Sequence, residues 1–188
     1  LVVDKTGNLT EGRPAVTSIV TAEGFDEADV LRLVAAVERA SEHPLARAIV
    51  TAAEGRHLTI PPVRGFSAAS GKGAIGMAER RRVAAGSAAY LKELGIDATA
   101  LAGQAESLRN DGATAIFAAI DGKAAAVIAI ADPIKATAAE ALAALRGAGI
   151  RVVMLTGDNR TTANAVGRRL GDVARVFELA RDERAHQL

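Results

Sequence analysis

Cysteine and tryptophan are absent from this sequence of 188 residues, and other aromatic residues are few, at one tyrosine and four phenylalanines. Without cysteine the chain can form neither a disulfide bond nor a thiolate metal site. Because aromatic side chains are scarce, alanine, valine, leucine and isoleucine must fill the core. Such a composition suits helices packed on sheets.

An excess of charge of one sign is also missing, since 23 lysines and arginines stand against 22 aspartates and glutamates. Domains that bind nucleic acid usually carry a clear basic excess, so we predict no nucleic-acid partner. A phosphate-bearing ligand is not excluded, because it needs only a local cluster of donors.

Long hydrophobic runs are missing too. The longest uninterrupted apolar stretch, residues 124–131, has only the length of a strand, whereas a membrane helix needs about 18 apolar residues or more. We therefore predict no membrane segment, and no signal peptide is recognisable. The sequence starts inside an apparent strand and without methionine, so we expect it to be part of a longer protein.

The middle of the chain mixes short apolar strands, separated by glycines, with amphipathic helices. Asp26 is a candidate N-cap for one helix, and Pro44 is placed to begin the next. Asp121-Gly122 lies between two apolar runs and is a strong signal for a two-residue hairpin. The pattern predicts antiparallel hairpins with helices on one side.

After residue 131 the pattern changes to helices and apolar strands in alternation, which is typical of a parallel sheet. The apolar strand at residues 1–3 resembles these later strands. We therefore predict an α/β domain of residues 1–12 and 132–188 with a parallel sheet. It is interrupted by an inserted α+β domain, residues 13–131, that combines an antiparallel sheet with helices.

Two of the predicted parallel strands end in polar residues, the first at Asp4-Lys5 and the later one at Thr156-Gly157-Asp158. Ligands of an open parallel sheet gather at the carboxyl ends of its strands. These residues would bring together a carboxylate nucleophile, a cation, a hydroxyl and glycine amides, with Mg²⁺ on oxygen ligands. The set predicts a phosphoryl-transfer site; the alternative is that Asp4 only caps a turn.

Position 6 distinguishes two kinds of phosphoryl chemistry. A phosphatase with an aspartate nucleophile benefits from a general acid/base two residues later, which protonates the leaving group and activates water. Thr6 serves neither purpose well at neutral pH. We therefore predict that an aspartyl-phosphate at Asp4 hydrolyses slowly, as a transport cycle requires.

Five segments, in this order, resemble the cytoplasmic catalytic region of heavy-metal-transporting P-type ATPases, and the resemblance covers nearly the whole chain. Asp-Lys-Thr-Gly and Thr-Gly-Asp are typical of P-type ATPases in general, and Ser-Glu-His-Pro of the heavy-metal branch. The segments are DKTGNLTEG (4–12), SEHPLARAIV (41–50), SGKG (70–73), NDGATAIFAAIDGKAAAVIAIADPIK (110–135) and GIRVVMLTGDN (149–159).

The resemblance implies a haloacid-dehalogenase-like (Rossmann-like) phosphorylation domain that carries an inserted nucleotide-binding domain. It implies that Asp4 is the phosphorylated residue and that Lys5 lies beside the phosphate. Mg²⁺ would be bound by Asp4 and by the backbone carbonyl of Thr6. In the later loop, Thr156 and Gly157 would hold the phosphoryl oxygens and Asp158 would shape the loop.

In the inserted domain, the resemblance implies that Glu38 and His43 meet adenine. It also implies that the nucleotide passes a glycine loop at Gly71 and Gly73, and it matches Gly86 to a further family glycine. Physical arguments agree for the base, because an imidazole can stack on adenine where tryptophan is absent and a carboxylate can accept from its exocyclic amine. The alternative for His43 is a helix-capping or surface histidine.

Asp132 and Lys135 match the family segment that returns the chain to the phosphorylation domain, but three features depart from the family pattern. Asn8 replaces the usual threonine beside the phosphate. The later Pro-x-x-Lys has no clean match, and its best register falls on Arg181 and Arg184. The Gly-Asp-Gly-x-Asn-Asp motif, which supplies a Mg²⁺ ligand, does not occur. We therefore expect the chain to bind nucleotide without completing turnover.

These features predict the ATP-binding and aspartyl-phosphorylation region of a membrane pump that exports a heavy-metal cation, with ATP and Mg²⁺ as cofactors. The ADPIK and TGDNR segments favour copper(I). The resemblance implies the pump's own membrane and actuator domains as partners and the cytoplasmic face of a bacterial membrane as the location. Two alternatives stay open: a soluble phosphatase of the haloacid dehalogenase type, and a non-catalytic nucleotide-binding module.

Overall fold

Two compact units make up the chain. The computed structural model describes residues 1–158, 160–171 and 174–177, with Pro44 and 174–177 described by their backbone alone. The first unit comprises Leu1–Arg13, Arg109–Thr114 and the chain from Asp132 onward, and the second comprises Pro14–Leu108 and Ala115–Ala131.

The described residues form the following strands and helices. The strands are β1 (Val2–Asp4), β2 (Ala15–Thr21), β3 (Val63–Ala69), β4 (Gly73–Ala78), β5 (Arg81–Gly86), β6 (Thr114–Ile120), β7 (Lys123–Ala131), β8 (Val153–Thr156) and β9 (Ala174–Phe177). The helices are α1 (Glu27–Glu38), α2 (Pro44–Gly55), α3 (Ala88–Glu93), α4 (Ala102–Asn110), α5 (Ala138–Gly147) and α6 (Arg160–Arg169). No helix among the described residues is long and apolar enough to cross a bilayer.

Local chemistry sets the element boundaries in the second unit. The Asp26 carboxylate accepts a hydrogen bond of 2.9 Å from the Asp29 amide and so caps α1. Pro44 stands at the first turn of α2, where its missing N–H has no cost. Asp121 and Gly122 both have positive φ, at 52° and 79°, and join the neighbouring strands β6 and β7 as a type I′ hairpin requires. These three predictions are confirmed.

The second unit is built on a six-stranded sheet in the order β2-β7-β6-β5-β4-β3, with antiparallel pairing. The prediction of helices on one side is wrong, because α1 and α2 cover one face while α3 and α4 cover the other. Leu33 and Ile49 pack with Ile128 on the first face, and Tyr90 packs with Phe117 on the second. The physical reason lies in β6 and β7, which bury successive residues on both faces and need a layer on each.

The first unit contains a parallel sheet in the order β1-β8-β9, as predicted from its apolar strands. Its core includes Leu142 of α5, Met154 of β8 and Leu170 after α6. Thr162 on α6 is buried and donates a 2.7 Å hydrogen bond to the Ala113 carbonyl, which ties the stretch before β6 to this unit. The family position predicted at Arg181 and Arg184 lies outside the described residues.

Candidate functional site

The carboxyl edge of the parallel sheet holds the first group of predicted residues. Asp4 is the last residue of β1 and lies opposite Leu155 of β8, so β1 and β8, whose last residue is Thr156, end at the same edge of the sheet. Asp4 is exposed with extended backbone, at φ −66° and ψ 141°. The carboxylate is therefore presented to solvent at the end where ligands of such sheets bind.

An ion pair joins the two strand ends. The Lys5 ammonium lies 2.6 Å from Asp158 Oδ2, and these side chains are only 13% and 16% exposed. The Asp158 amide donates to the hydroxyl of Thr156 at 3.1 Å, and Thr156 is buried. Asp158 thus holds Lys5 next to the nucleophile position, while the Gly157 backbone stays open.

A tight turn, Lys5–Leu9, follows Asp4 and is called the Asp4 turn below. Thr6 at φ −75°, ψ 125° and Gly7 at φ 77°, ψ −19° have the values of a type II turn, whose third residue requires the positive φ that glycine adopts. The Gly7 amide donates to Thr10 Oγ1 at 3.3 Å. Asn8, which replaces the family threonine, is exposed on this turn.

The Asp4 turn is braced by residues for which sequence reasoning had assigned no role at the site. The Asp132 carboxylate accepts from the Thr10 hydroxyl at 2.6 Å and from the Gly12 and Arg13 amides at 3.1 and 2.9 Å. Lys135 Nζ donates to the Gly7 carbonyl at 2.6 Å. The sequence signals were the change of pattern at residue 132 and the match of Asp132 and Lys135 to the family segment that returns the chain, and both mark a boundary and not a contact.

A Mg²⁺ ion would meet suitable donor chemistry at this edge. The Asp4 carboxylate and the Thr6 carbonyl are hard oxygen ligands of the kind that Mg²⁺ prefers, and the ion commonly takes its other ligands from water and substrate phosphate. Among the described residues there is no cluster of three or more acidic or histidine side chains that could hold a metal without such help. The residues present fit a phosphate-associated Mg²⁺.

Glu38 lies at the end of α1 in the second unit and is buried, with 7% of its surface exposed. Burial raises the pKa of Glu38, and a hydrogen bond with the Ser41 side chain offsets part of this effect. A carboxylate with so little solvent around it is stabilised by any hydrogen-bond donor that reaches it, such as an amine of a ligand.

His43 is the N-cap of α2. Its Nδ1 accepts a hydrogen bond of 3.2 Å from the Leu45 amide, so the capping alternative is realised in the structure. The residue is exposed, yet the surrounding protein desolvates the ring enough to lower the pKa of His43. A neutral ring capped through Nδ1 carries its proton on Nε2 and keeps a face for stacking, so capping and base recognition are compatible.

The three predicted glycines meet at one end of the sheet. Gly73 lies opposite Gly86 on the neighbouring strand, and a Cβ on either would come within 2.8 Å of the other's Cα and collide with the Tyr90 ring. Gly71 has φ +70° in the turn between β3 and β4, and the space beside its α-carbon is open. Gly73 and Gly86 are thus required by packing, and Gly71 by its turn.

The direction of α1 brings Glu38 towards this end. Asp29 and Arg32, in the first half of α1, form ion pairs with Arg81 at 2.9 Å and Glu79 at 2.8 Å around the β4–β5 turn. Because α1 packs along β4 and β5, its last turn lies towards the opposite end of these strands, where Gly73 and Gly86 pair. The Asp4 group belongs to the first unit and the Glu38 group to the second.

Comparison with known proteins first defines a class. The family model of haloacid dehalogenase-like hydrolases matches residues 1–186. The chain therefore belongs to the haloacid dehalogenase-like hydrolases, and the fold class predicted from the sequence is confirmed.

The curated relatives are narrower in kind. A silver exporting P-type ATPase of Salmonella typhimurium is 50% identical over 91% of this chain and 21% of its own length. A copper-transporting P-type ATPase of Rhizobium leguminosarum is 48% identical over 91% of this chain and 20% of its own length. The predicted resemblance to heavy-metal-transporting P-type ATPases is confirmed, and the chain spans about a fifth of the length of these relatives.

Solved structures of metal-transporting P-type ATPases are also similar to this chain. A zinc-transporting PIB-type ATPase in the E2.Pi state aligns with a TM-score of 0.74 and 36% identity, over 95% of this chain and 28% of that one. The N-domain of HMA8, a copper-transporting P-type ATPase, aligns with a TM-score of 0.53 and 30% identity, over 62% of this chain and 99% of that one. An entire solved N-domain is thus similar to part of this chain.

Proposed function

We propose that this chain is the ATP-binding and aspartyl-phosphorylation region of a membrane pump that exports a heavy-metal cation. The observation that carries the proposal is the edge of the parallel sheet, where exposed Asp4 stands beside a Lys5–Asp158 ion pair of 2.6 Å. A nucleophilic carboxylate next to a fixed cation is the arrangement that phosphoryl transfer requires.

The proposed step uses Asp4 as nucleophile. One carboxylate oxygen of Asp4 forms a bond to the γ-phosphorus of ATP, the bond from that phosphorus to the β–γ bridging oxygen breaks, and ADP leaves. Lys5 neutralises charge on the phosphoryl group, and Thr156 and Gly157 hold its oxygens. The Asp4 carboxylate and the Thr6 carbonyl would hold Mg²⁺, which would supply further charge neutralisation. Thr6 offers no general acid/base, so the aspartyl-phosphate persists.

In this proposal, phosphorylation and nucleotide binding are assigned to the two domains predicted from the sequence. Residues 1–12 and 132–188 form the phosphorylation domain, and residues 13–131 form the nucleotide-binding domain. The similarity of part of the chain to a whole solved N-domain supports this assignment. Glu38 accepts from the adenine amine, His43 stacks on the base, and the backbone at Gly71, Gly73 and Gly86 lets the nucleotide pass closely.

These two domains do not determine which ion the pump transports. Relatives and solved neighbours carry names with silver, copper and zinc, and we favour copper(I) on the ADPIK and TGDNR segments. The pump's own membrane and actuator domains are the proposed partners, and the cytoplasmic face of the membrane is the proposed location.

Calorimetric titration of ATP into the chain, with and without Mg²⁺, tests the nucleotide part of the proposal. His43→Asn is the informative variant, because asparagine can keep the cap on α2 while the ring is lost. We expect ATP to bind without Mg²⁺ and affinity to fall about tenfold in this variant, the scale of a base stacked on a ring. The matched control is His57→Asn, since residue 57 has φ 56° and asparagine tolerates that backbone.

Two outcomes would contradict the proposal. If the folded chain bound no ATP, the nucleotide assignment would be wrong. If the intact pump formed no phosphoenzyme from ATP and Mg²⁺, with Asp4→Asn as the blank, the chain would instead be a non-catalytic module.

A further inference from the structure

The turn at residues 70–73, which contains Gly71 and Gly73, also contains Lys72, and the ammonium group of Lys72 forms an ion pair with Glu93. This turn is called the glycine turn below. Lys72 Nζ lies 2.9 and 3.0 Å from the two carboxylate oxygens of Glu93 on α3. Both side chains are 53% exposed. An ion pair this exposed contributes little to stability, so the fold has little need of it.

The backbone of Lys72 is fixed more firmly than its side chain. The Lys72 amide donates to the Ala69 carbonyl at 3.0 Å, and the Lys72 carbonyl accepts from the Ser87 amide at 2.9 Å. The glycine turn is thereby fastened to the strand end at Gly86. The lysine stem therefore starts from a fixed point, and only its flexible part has to move to meet a different anion.

We infer that Lys72 binds the phosphate chain of the nucleotide and that Glu93 competes with the phosphates for it. The inference rests on the proposed function, in which the base lies at Glu38 and His43 and the nucleotide passes the glycine turn. A nucleotide in that position directs its phosphates past the turn. There the compact ammonium of Lys72 can exchange one carboxylate for several phosphate oxygens.

This arrangement makes Glu93 a negative determinant of ATP affinity. It lowers the affinity in two ways, by occupying Lys72 in the free protein and by repelling the phosphates in the complex. Neither effect acts on adenosine, which has no phosphate. The lysine–glutamate pair therefore sets how far the site prefers a nucleotide over a nucleoside, and it keeps ATP binding modest.

The test is calorimetry of ATP and of adenosine, without Mg²⁺, on the full chain and on Lys72→Gln, Glu93→Gln and the double variant. We expect Lys72→Gln to weaken ATP about fivefold and Glu93→Gln to tighten it about threefold, the range of exposed charge interactions. Adenosine affinity stays unchanged in all of them. In the double variant, ATP affinity matches or only slightly exceeds that of Lys72→Gln.

Glu27→Gln is the matched control. It breaks a comparable exposed pair, with Arg56 at 2.6 Å, near the start of α1, and it changes the net charge of the protein by the same amount. We expect unchanged ATP affinity, which separates a local effect of Glu93 from a general effect of charge.

Each outcome decides a different point. An unchanged ratio of ATP to adenosine affinity in Lys72→Gln would overturn the role of Lys72. Weaker ATP binding in Glu93→Gln would overturn the competition. If the folded wild type bound neither ligand, the proposed function itself would fail and this inference with it. Circular dichroism of every variant shows that the fold is kept.

Discussion

At the scale of single residues, the free chain keeps an ionisable group where it is costly. Glu38 is buried at the end of α1, and burial raises its pKa. A raised carboxylate pKa means that the folded state holds the proton more tightly than the unfolded state does. Stability therefore falls as pH rises from the unfolded pKa through the folded one, and stays lower above both.

Glu38→Gln is expected to stabilise the ligand-free chain at pH 7.5 by roughly 1 kcal/mol, because the amide has no charge to desolvate. The advantage over wild type should shrink as pH is lowered through the folded pKa of Glu38. Urea unfolding at several pH values measures both effects. Glu54→Gln, on the exposed side of α2, serves as control. A variant less stable than wild type at pH 7.5 would mean that the interactions of the Glu38 carboxylate stabilise the fold by more than its desolvation destabilises it.

Residue-scale chemistry was also what the sequence predicted best. Asp26, Pro44 and Asp121-Gly122 act on neighbours a few positions away, so composition and spacing suffice to recognise them. The Lys5–Asp158 pair could be placed at one sheet edge, but not joined, because its members are 153 positions apart. The same holds for Thr10 and Asp132, which are 122 positions apart and were assigned no contact.

At the scale of elements, the junction of β4, β5 and α3 depends on two facing glycines. An added Cβ at Gly73 would overlap the Ala85 carbonyl oxygen and lie 2.5 Å from the Tyr90 ring. The backbone of β5 cannot retreat, because β6 pairs with it on the other side. Tyr90 would have to leave its pocket among the α3 and α4 side chains.

Gly73→Ala is therefore expected to destabilise the chain by about 2 kcal/mol or more. The control is Gly103→Ala on α4, where nothing lies within 4 Å of the added methyl group. That variant should gain up to about 1 kcal/mol, since alanine is the better helix former. Chemical unfolding of both variants gives the comparison. Equal stability of the two would show that the strands separate more easily than their packing indicates.

The number of helical layers was the element-scale prediction that failed. Alanine-rich strands such as β6 and β7 show no clear alternation, so their sequence does not reveal how many faces are covered. The structure answers this with two distinct clusters, one on each side of the sheet.

At the scale of the whole molecule, a single tyrosine allows the unfolding of the second unit to be followed separately. Tyr90 is the only tyrosine, tryptophan is absent, and the ring is buried in the core of the second unit. Tyrosine fluorescence should therefore report the unfolding of that unit, whereas far-ultraviolet circular dichroism reports both units.

We expect ATP at a hundred times its dissociation constant to stabilise the unit that contains Tyr90 by about 2.7 kcal/mol. The thermal midpoint seen by fluorescence should rise, and the part of the dichroism change that belongs to the first unit should keep its midpoint. Adenosine at the same multiple of its own dissociation constant is the control, and it should give the same shift. A common shift of every transition with ATP would mean that the two units unfold as one cooperative body.

The two stretches that join the units, near residues 9–15 and 131–135, also bear on how such a protein can be rearranged in sequence. The Glu11 amide donates to the Pro133 carbonyl, the Lys135 amide donates to the Leu9 carbonyl, and Ala15 at the start of β2 pairs with Ala131 at the end of β7. The first exit of the chain from the first unit and its last return therefore lie at adjacent points, although Arg109–Thr114 also belongs to the first unit. A segment with neighbouring ends can be exchanged as one piece, since the rest of the chain needs only a short bridge to close the gap. Here the exchanged piece would have to include residues that replace Arg109–Thr114 and accept the hydrogen bond from Thr162.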